Sequence, residues 1–122
     1  LMGKGLCTVD YYMKAIDYMR KHINNPHFYV FTDNPCWVKD NLPEFEYILV
    51  DWNEVSGKRN FRDMQLMSCA KHNIIGNSTY SWWAAWLNAN QDKIVVGPKR
   101  FFNPINSFFS TCDIMCEDWI SL

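Results

Sequence analysis

Apolar positions recur along this chain in two alternating rhythms. Tyr12, Ala15, Ile16, Met19 and Ile23 follow a helical spacing. Thr8 is suited to cap that helix, and Asp10 lies near its positive end. Asn24, Asn25 and Pro26 stop it. The next stretch, His27-Phe28-Tyr29-Val30-Phe31-Thr32, is rich in aromatic and branched residues and predicts a buried strand. Asp33-Asn34-Pro35 then opens a short helical turn through about Asn41, with Pro35 suited to the first helical position. Pro43 blocks its continuation. Glu46-Tyr47-Ile48-Leu49-Val50-Asp51 predicts a second strand, apolar enough to be covered on both faces.

The second half repeats the alternation. A polar loop from Glu54 to Lys58 leads to a helix from about Phe61 to Lys71, with Asn60 as its cap and Met64, Met67, Cys69 and Ala70 as its packing residues. Asn73-Ile74-Ile75-Gly76-Asn77-Ser78-Thr79-Tyr80-Ser81-Trp82-Trp83-Ala84-Ala85-Trp86-Leu87 reads as strand, tight turn and helix. That helix is apolar nearly all round and should be covered on more than one side. Lys93-Ile94-Val95-Val96-Gly97 predicts a further strand, ended by Gly97-Pro98. The tail from Lys99, with Phe101, Phe102, Phe108, Phe109 and Trp119 in an irregular polar context, reads as a wrapping segment.

Strands alternating with crossover helices imply an α/β chain with a Rossmann-like parallel sheet and helices on both faces, one domain over residues 1–122. Ligands of such sheets sit beyond the carboxyl ends of the strands. Asp33, Asp51, Asn77 to Tyr80 and Pro98 follow those ends. At Gly76-Asn77-Ser78-Thr79 the first N–H groups of a helix lack intrahelical partners and carry partial positive charge, which makes an anion site suited to phosphate.

Composition narrows the function. The 122 residues are 48% hydrophobic, enough for a core, and their net charge of −1, with basic residues scattered, argues against nucleic-acid binding. No apolar run reaches the roughly 18 residues of a membrane span, and no signal-peptide pattern opens the chain, so a cytoplasmic or cytoplasmic-side peripheral location is expected. The five cysteines are odd in number and irregularly spaced, which favours a reducing compartment over a disulfide framework. Cys112 and Cys116 with Asp113 and Glu117 lack a matching second pair for zinc. Asn77-Ser78-Thr79 matches a glycosylation acceptor but sits inside the predicted turn, where backbone geometry and capping explain it better.

Each candidate has an ordinary structural explanation. Ser78 and Thr79 can bind a diphosphate with hydroxyls and amides, and can equally cap a helix; the two roles are compatible. Asp63 can accept from both N–H groups on the Watson–Crick edge of guanine, while a first-turn acid at a helix N-terminus is the commoner reading. Tyr80, Trp82, Trp83 and Trp86 can stack on a base or sugar, but tryptophans on an apolar helix are mostly core, and Tyr80, lying in the turn, is the exception. His72, with His22 and His27 behind it, can be drawn as a general base, although no catalytic spacing supports one and dipole pairing at a helix end explains a lone histidine. Asp33, Asp51 and Asp92 make no stronger case, and no Asp-x-Asp element is present to hold a divalent metal.

The run Ile74 to Leu87 closely resembles the signature segment of the alpha-1,2-fucosyltransferases of glycosyltransferase family 11. Asp63-Met64-Gln65-Leu66-Met67-Ser68-Cys69-Ala70-Lys71-His72 is similar to the segment preceding it there, and the helix near Asp10-Tyr11-Tyr12 also fits. The resemblance implies the C-terminal, donor-binding half of a two-lobed GT-B enzyme that moves fucose from GDP-fucose to a galactose hydroxyl of a glycan, with inversion and without an obligatory metal. It implies a donor site of Asp63, Asn77, Ser78, Thr79 and Tyr80, with Asp63 on the GDP base. The family's His-x-Arg-Arg-Gly-Asp segment, expected shortly before Gly5-Leu6-Cys7, is not present, and Arg59, Arg62 and Lys71 do not match its diphosphate-holding arginine. A fragment that binds GDP weakly and does not turn over is therefore expected, with aromatic surface left by a missing lobe able to drive self-association. The competing reading is a non-catalytic α/β module using the same helix N-terminus for phosphate or a partner.

Overall fold

The computed structural model describes residues 7–43, 45–53, 60–99 and 115–122. The loop read over Glu54 to Lys58, Arg59, the phenylalanines of the tail, Cys112 and Asp113 lie outside them. The described chain is mixed α/β, and every strand pairing in it is parallel.

Helix α1 spans Val9–His22. It starts where Thr8 turns extended and accepts from the Tyr11 N–H with its side chain at 3.2 Å. Its buried stripe is Tyr11, Ala15, Ile16 and Met19, so Tyr11 takes the place the spacing gave to Tyr12. Strand β1, Phe28–Phe31, is followed by helix α2, Pro35–Asn41, and strand β2, Tyr47–Val50. Asn34 caps α2 by accepting from the Trp37 N–H at 3.1 Å, ahead of Pro35 at the helix start. β1 and β2 pair with Phe28 opposite Tyr47 and Tyr29 opposite Ile48.

The expectation that these two strands are buried needs correction. Tyr29 and Ile48 are cross-strand neighbours, 57% and 48% exposed, so one face is open among the described residues. An apolar run shows that a strand can be covered on both faces, not that it is.

Helix α3, Arg62–Ser68, precedes strand β3, Asn73–Ile74; helix α4, Thr79–Leu87, leads into strand β4, Val95–Gly97. A last short strand, β5, Ile120–Ser121, pairs with β4. The tail read as irregular therefore returns to the sheet. Among the described residues, strand order is β3-β4-β5 in one group and β1-β2 in the other. Sequence periodicity identifies strands but does not fix which edges pair.

The three-stranded group carries the core. Side-chain alternation sends Val96, Ile74, Ile94 and Ile120 toward the Tyr11, Ala15 and Met19 face of α1. It sends Ile75 and Val95 to the other face, against Ala85 and Trp82 of α4 together with Trp119. Helices thus cover both faces of this sheet. Phe28 packs on the α1 side, which joins β1 to the same core. α4 is less enclosed than its composition predicts, since Trp83, Trp86 and Leu87 are exposed. The buried residues of that helix are Ser81, Ala84 and Ala85.

Candidate functional site

The β3–α4 turn is built as the sequence predicts. Ser78 is extended, at φ −119° and ψ 142°, and its Oγ accepts from the Ser81 N–H at 3.2 Å. Ser81 is buried beneath the turn, its Oγ 3.0 Å from the Ser78 carbonyl and 3.4 Å from that of Gly76. Thr79, the first helical residue, is exposed. α4 therefore starts at the carboxyl end of β3 with its N-terminus outward, the arrangement that favours an anion.

Cys7, Tyr11 and Tyr12 also gather at this end, which sequence reading missed. The Tyr11 hydroxyl donates to the Ile75 carbonyl at 2.6 Å and lies 3.3 Å from that of Val96, so it holds α1 across the ends of β3 and β4. Burial pushes its phenol pKa up. The Tyr12 hydroxyl comes so near Gly76 that a Cβ there would lie 3.0 Å from it. Only glycine lets the two meet without one giving way. Burial raises the Cys7 thiol, partly offset by hydrogen bonds from the Asn77 backbone and Tyr12. The signal available in the sequence was Pro98 beside an apolar strand, because a proline leaves the facing carbonyl without a ladder donor.

On the other side of the turn, α3 opens on Phe61, which has no side-chain oxygen to cap it. Asn60 was expected to do so. Its carbonyl instead accepts from the Tyr80 hydroxyl at 2.6 Å, and that hydroxyl accepts from the Met64 N–H at 2.8 Å. Tyr80 of α4 thus satisfies the N-terminus of α3. Asp63 is buried, 7% exposed, and its Oδ1 accepts from Asn53 Nδ2 at 2.8 Å. Burial raises the Tyr80 phenol, the Met64 N–H opposes this, and the Asp63 charge adds to the rise, which places that carboxylate beside the phenol. Of the predicted donor residues, Asn77, Ser78 and Thr79 form one turn, while Tyr80 connects it to Asp63.

Other candidates lie elsewhere. His72 was read as a helix-end histidine, but α3 ends at Ser68, and His72 Nδ1 accepts from the Ile94 N–H at 2.9 Å. It serves the sheet. Desolvation holds its pKa low, with Lys71 adding to the effect. His22 Nδ1 meets the Tyr18 carbonyl at 2.8 Å on the exposed surface. Asp33, Asp51 and Asp92 are exposed. Among the described residues, no three His, Cys, Asp or Glu side chains come together, and no helix is long and apolar enough to cross a membrane.

The opposite end of the sheet is closed by asparagines that sequence reading did not single out. Asn88 Nδ2 donates to the Ala70 carbonyl at 2.7 Å and to Asn73 Oδ1 at 2.8 Å, and Asn73 Nδ2 donates to the Met67 carbonyl at 2.8 Å. Lys93 Nζ donates to the Ala85 and Asn88 carbonyls at 2.8 and 2.9 Å, a positive charge at the negative end of α4.

In open parallel α/β sheets ligands bind beyond the carboxyl ends of the strands, the end at which the α4 N-terminus lies. The sequence profile described as "Glycosyl transferase family 11" matches residues 3–122, and the chain belongs to that family. It is 40% identical over 121 residues to the "O-antigen biosynthesis glycosyltransferase WbnK" of Escherichia coli, covering 97% of this chain and 37% of that protein. It is 38% identical over 120 residues to an "Alpha-1,2-colitosyltransferase" of Escherichia coli, covering 97% of this chain and 40% of the relative. The chain thus spans well under half the length of these curated relatives. No solved structure matches it.

Proposed function

We propose that these residues form the donor-binding part of an inverting alpha-1,2-glycosyltransferase of the GT-B type, which moves fucose from GDP-fucose to a galactose hydroxyl of a glycan. The observation carrying this reading is the placement of two helix N-termini side by side, α4 with Ser78 and Thr79 outward and α3 with Asp63 between Asn53 and Tyr80. In this reading the α4 N-terminus receives the diphosphate and Asp63 accepts from the guanine N–H pair. Leaving-group charge is then stabilised by fixed amides, without a metal. The family membership supports transferase chemistry. Since one relative is named for colitose, the 6-deoxy sugar itself is the finest part of the proposal.

Metal-free calorimetric titration of GDP and ADP against the chain, with Asp63→Asn as the paired variant, tests the site. Binding that favours GDP and is weakened by the substitution is the expected result. Equal affinity for the two nucleotides would instead favour a generic phosphate-binding module. Transfer is tested in the longer protein by offering GDP-fucose and GDP-colitose to a galactoside and reading the product linkage. The 122-residue chain, whose sequence holds no His-x-Arg-Arg-Gly-Asp segment, is expected to bind without turnover, and detectable fucosyl transfer by it would overturn that part.

A further inference from the structure

We infer that Asn53 and Tyr80 are positioning residues that set the Asp63 carboxylate for base discrimination, Asn53 by fixing its oxygen and Tyr80 by fixing the backbone on either side of it. The inference rests on the donor-site reading above and adds to it two residues acting through a third. In the sequence Tyr80 suggested a ligand contact, and Asn53 suggested nothing.

Helix α3 begins without a side-chain cap at its own N-cap residue. An α-helix leaves its first N–H groups without partners, and an N-cap side chain ordinarily serves the amide at the second or third helical position. Phe61 offers no such oxygen. The amide of Met64, third in α3, is served by the Tyr80 hydroxyl at 2.8 Å, a cap supplied by another helix. The same hydroxyl donates to the Asn60 carbonyl at 2.6 Å. One phenol therefore holds the chain just before and just after Asp63. Burial raises the Tyr80 pKa, which keeps the proton it donates to the Asn60 carbonyl.

The side chain of Asp63 is held separately. Its Oδ1 accepts from Asn53 Nδ2 at 2.8 Å, and a buried carboxylate requires such partners. Guanine presents two parallel N–H donors, and a carboxylate can accept both only when its two oxygens lie in their plane. Adenine offers an acceptor at one of those positions and loses nothing when the plane turns. A clamp on carboxylate orientation thus acts on the guanine-to-adenine ratio. Pyrophosphate, which has no base, does not sense it.

The test titrates GDP, ADP and inorganic pyrophosphate against the chain and its Tyr80→Phe, Asn53→Ala and Asp63→Asn variants, with urea midpoints measured alongside. Tyr80→Phe and Asn53→Ala are each expected to reduce the GDP-to-ADP affinity ratio by about fivefold to tenfold, the scale of a weakened hydrogen bond to a charged group. Pyrophosphate affinity is expected to stay within about twofold of the parent chain. A purely structural role would lower all three affinities together, or the urea midpoint alone, and would overturn the inference. Retention of the ratio in both variants while Asp63→Asn abolishes it would also overturn the inference and leave the donor reading standing. A parent chain that does not prefer GDP would remove the donor reading itself. A ligand-free measurement guards against a variant that fails to fold: in the parent chain, NMR should show one Asn53 side-chain amide proton shifted downfield by its bond to Asp63, and free-amide positions for both would count against the clamp.

Discussion

The hydroxyl of Tyr11 donates to the carbonyl of Ile75 at 2.6 Å across 64 residues of sequence. The partner strand explains why. In the β3–β4 ladder the Asn73 N–H reaches Ile94 and the Ile75 N–H reaches Val96, so the next donor toward the Ile75 carbonyl would be the amide of residue 98. Residue 98 is proline and has no N–H. Tyr11 supplies the missing donor from α1.

Removing that hydroxyl should therefore cost more than an average hydrogen bond. Tyr11→Phe keeps the ring in the core and leaves a carbonyl unserved, with an expected loss of about 1–3 kcal/mol in urea unfolding. Pro98→Ala in the same background would return a backbone donor, and partial recovery of the midpoint is expected.

Stability should also fall on mild acidification through His72. Its folded pKa lies below the ordinary 6.5, so the unfolded chain takes up the proton first as pH falls. The contribution is fully present above about pH 6.5 and is lost as pH drops through the depressed folded value. Protonation also places a hydrogen on Nδ1, where the Ile94 N–H donates. Urea midpoints of the parent chain and of His72→Leu between pH 8 and 5 check this. The variant should lose the histidine part of the slope, and identical slopes would assign it to other groups.

The asparagine cluster makes a sharper demand. Asn88→Leu leaves the Ala70 carbonyl and Asn73 Oδ1 without their donor, and a loss of about 2 kcal/mol or more is expected. Asn88→Asp should be worse, because it places acceptor against acceptor beside buried Asn73. Thermal unfolding of the two variants side by side gives the order.

At the turn, capping and ligand binding can be separated by neighbouring residues. Ser78→Ala removes the cap and should cost about 1 kcal/mol, whereas Ser78→Gly should cost a few tenths. Exposed Thr79, changed to Ala, should shift stability by less than about 0.5 kcal/mol. In the proposed donor site Thr79→Ala should still weaken pyrophosphate binding several-fold. Unchanged affinity would remove Thr79 from the site.

How much of this was legible follows from the range of each interaction. The caps at Thr8, Asn34 and Ser78 bond within three residues of themselves, so sequence spacing carries them. Asn60 failed as a cap because α3 opens one residue later, on Phe61, and the hydroxyl of Tyr80, twenty positions from Asn60, serves the helix in its place. β5 was missed because Ile120–Ser121 is too short to show a period. The parallel sheet expected from the alternation is seen, among the described residues, as two paired groups, since periodicity names strands and not their partners. Tyr11 was hidden in a helical stripe, and only Pro98 hinted at its hydroxyl's role.

The indoles of Trp82 and Trp86 lie one helical turn apart, 5.5 Å between centroids and 8° from parallel. Two near-parallel chromophores at that range share their excited states, so α4 contains its own optical antenna. Trp83 and Trp119 join them at 5.0 and 5.8 Å from Trp82, so circular dichroism in the indole absorption bands should carry a signal from the whole cluster, and the part owed to the Trp82–Trp86 pair should vanish when the helix uncoils.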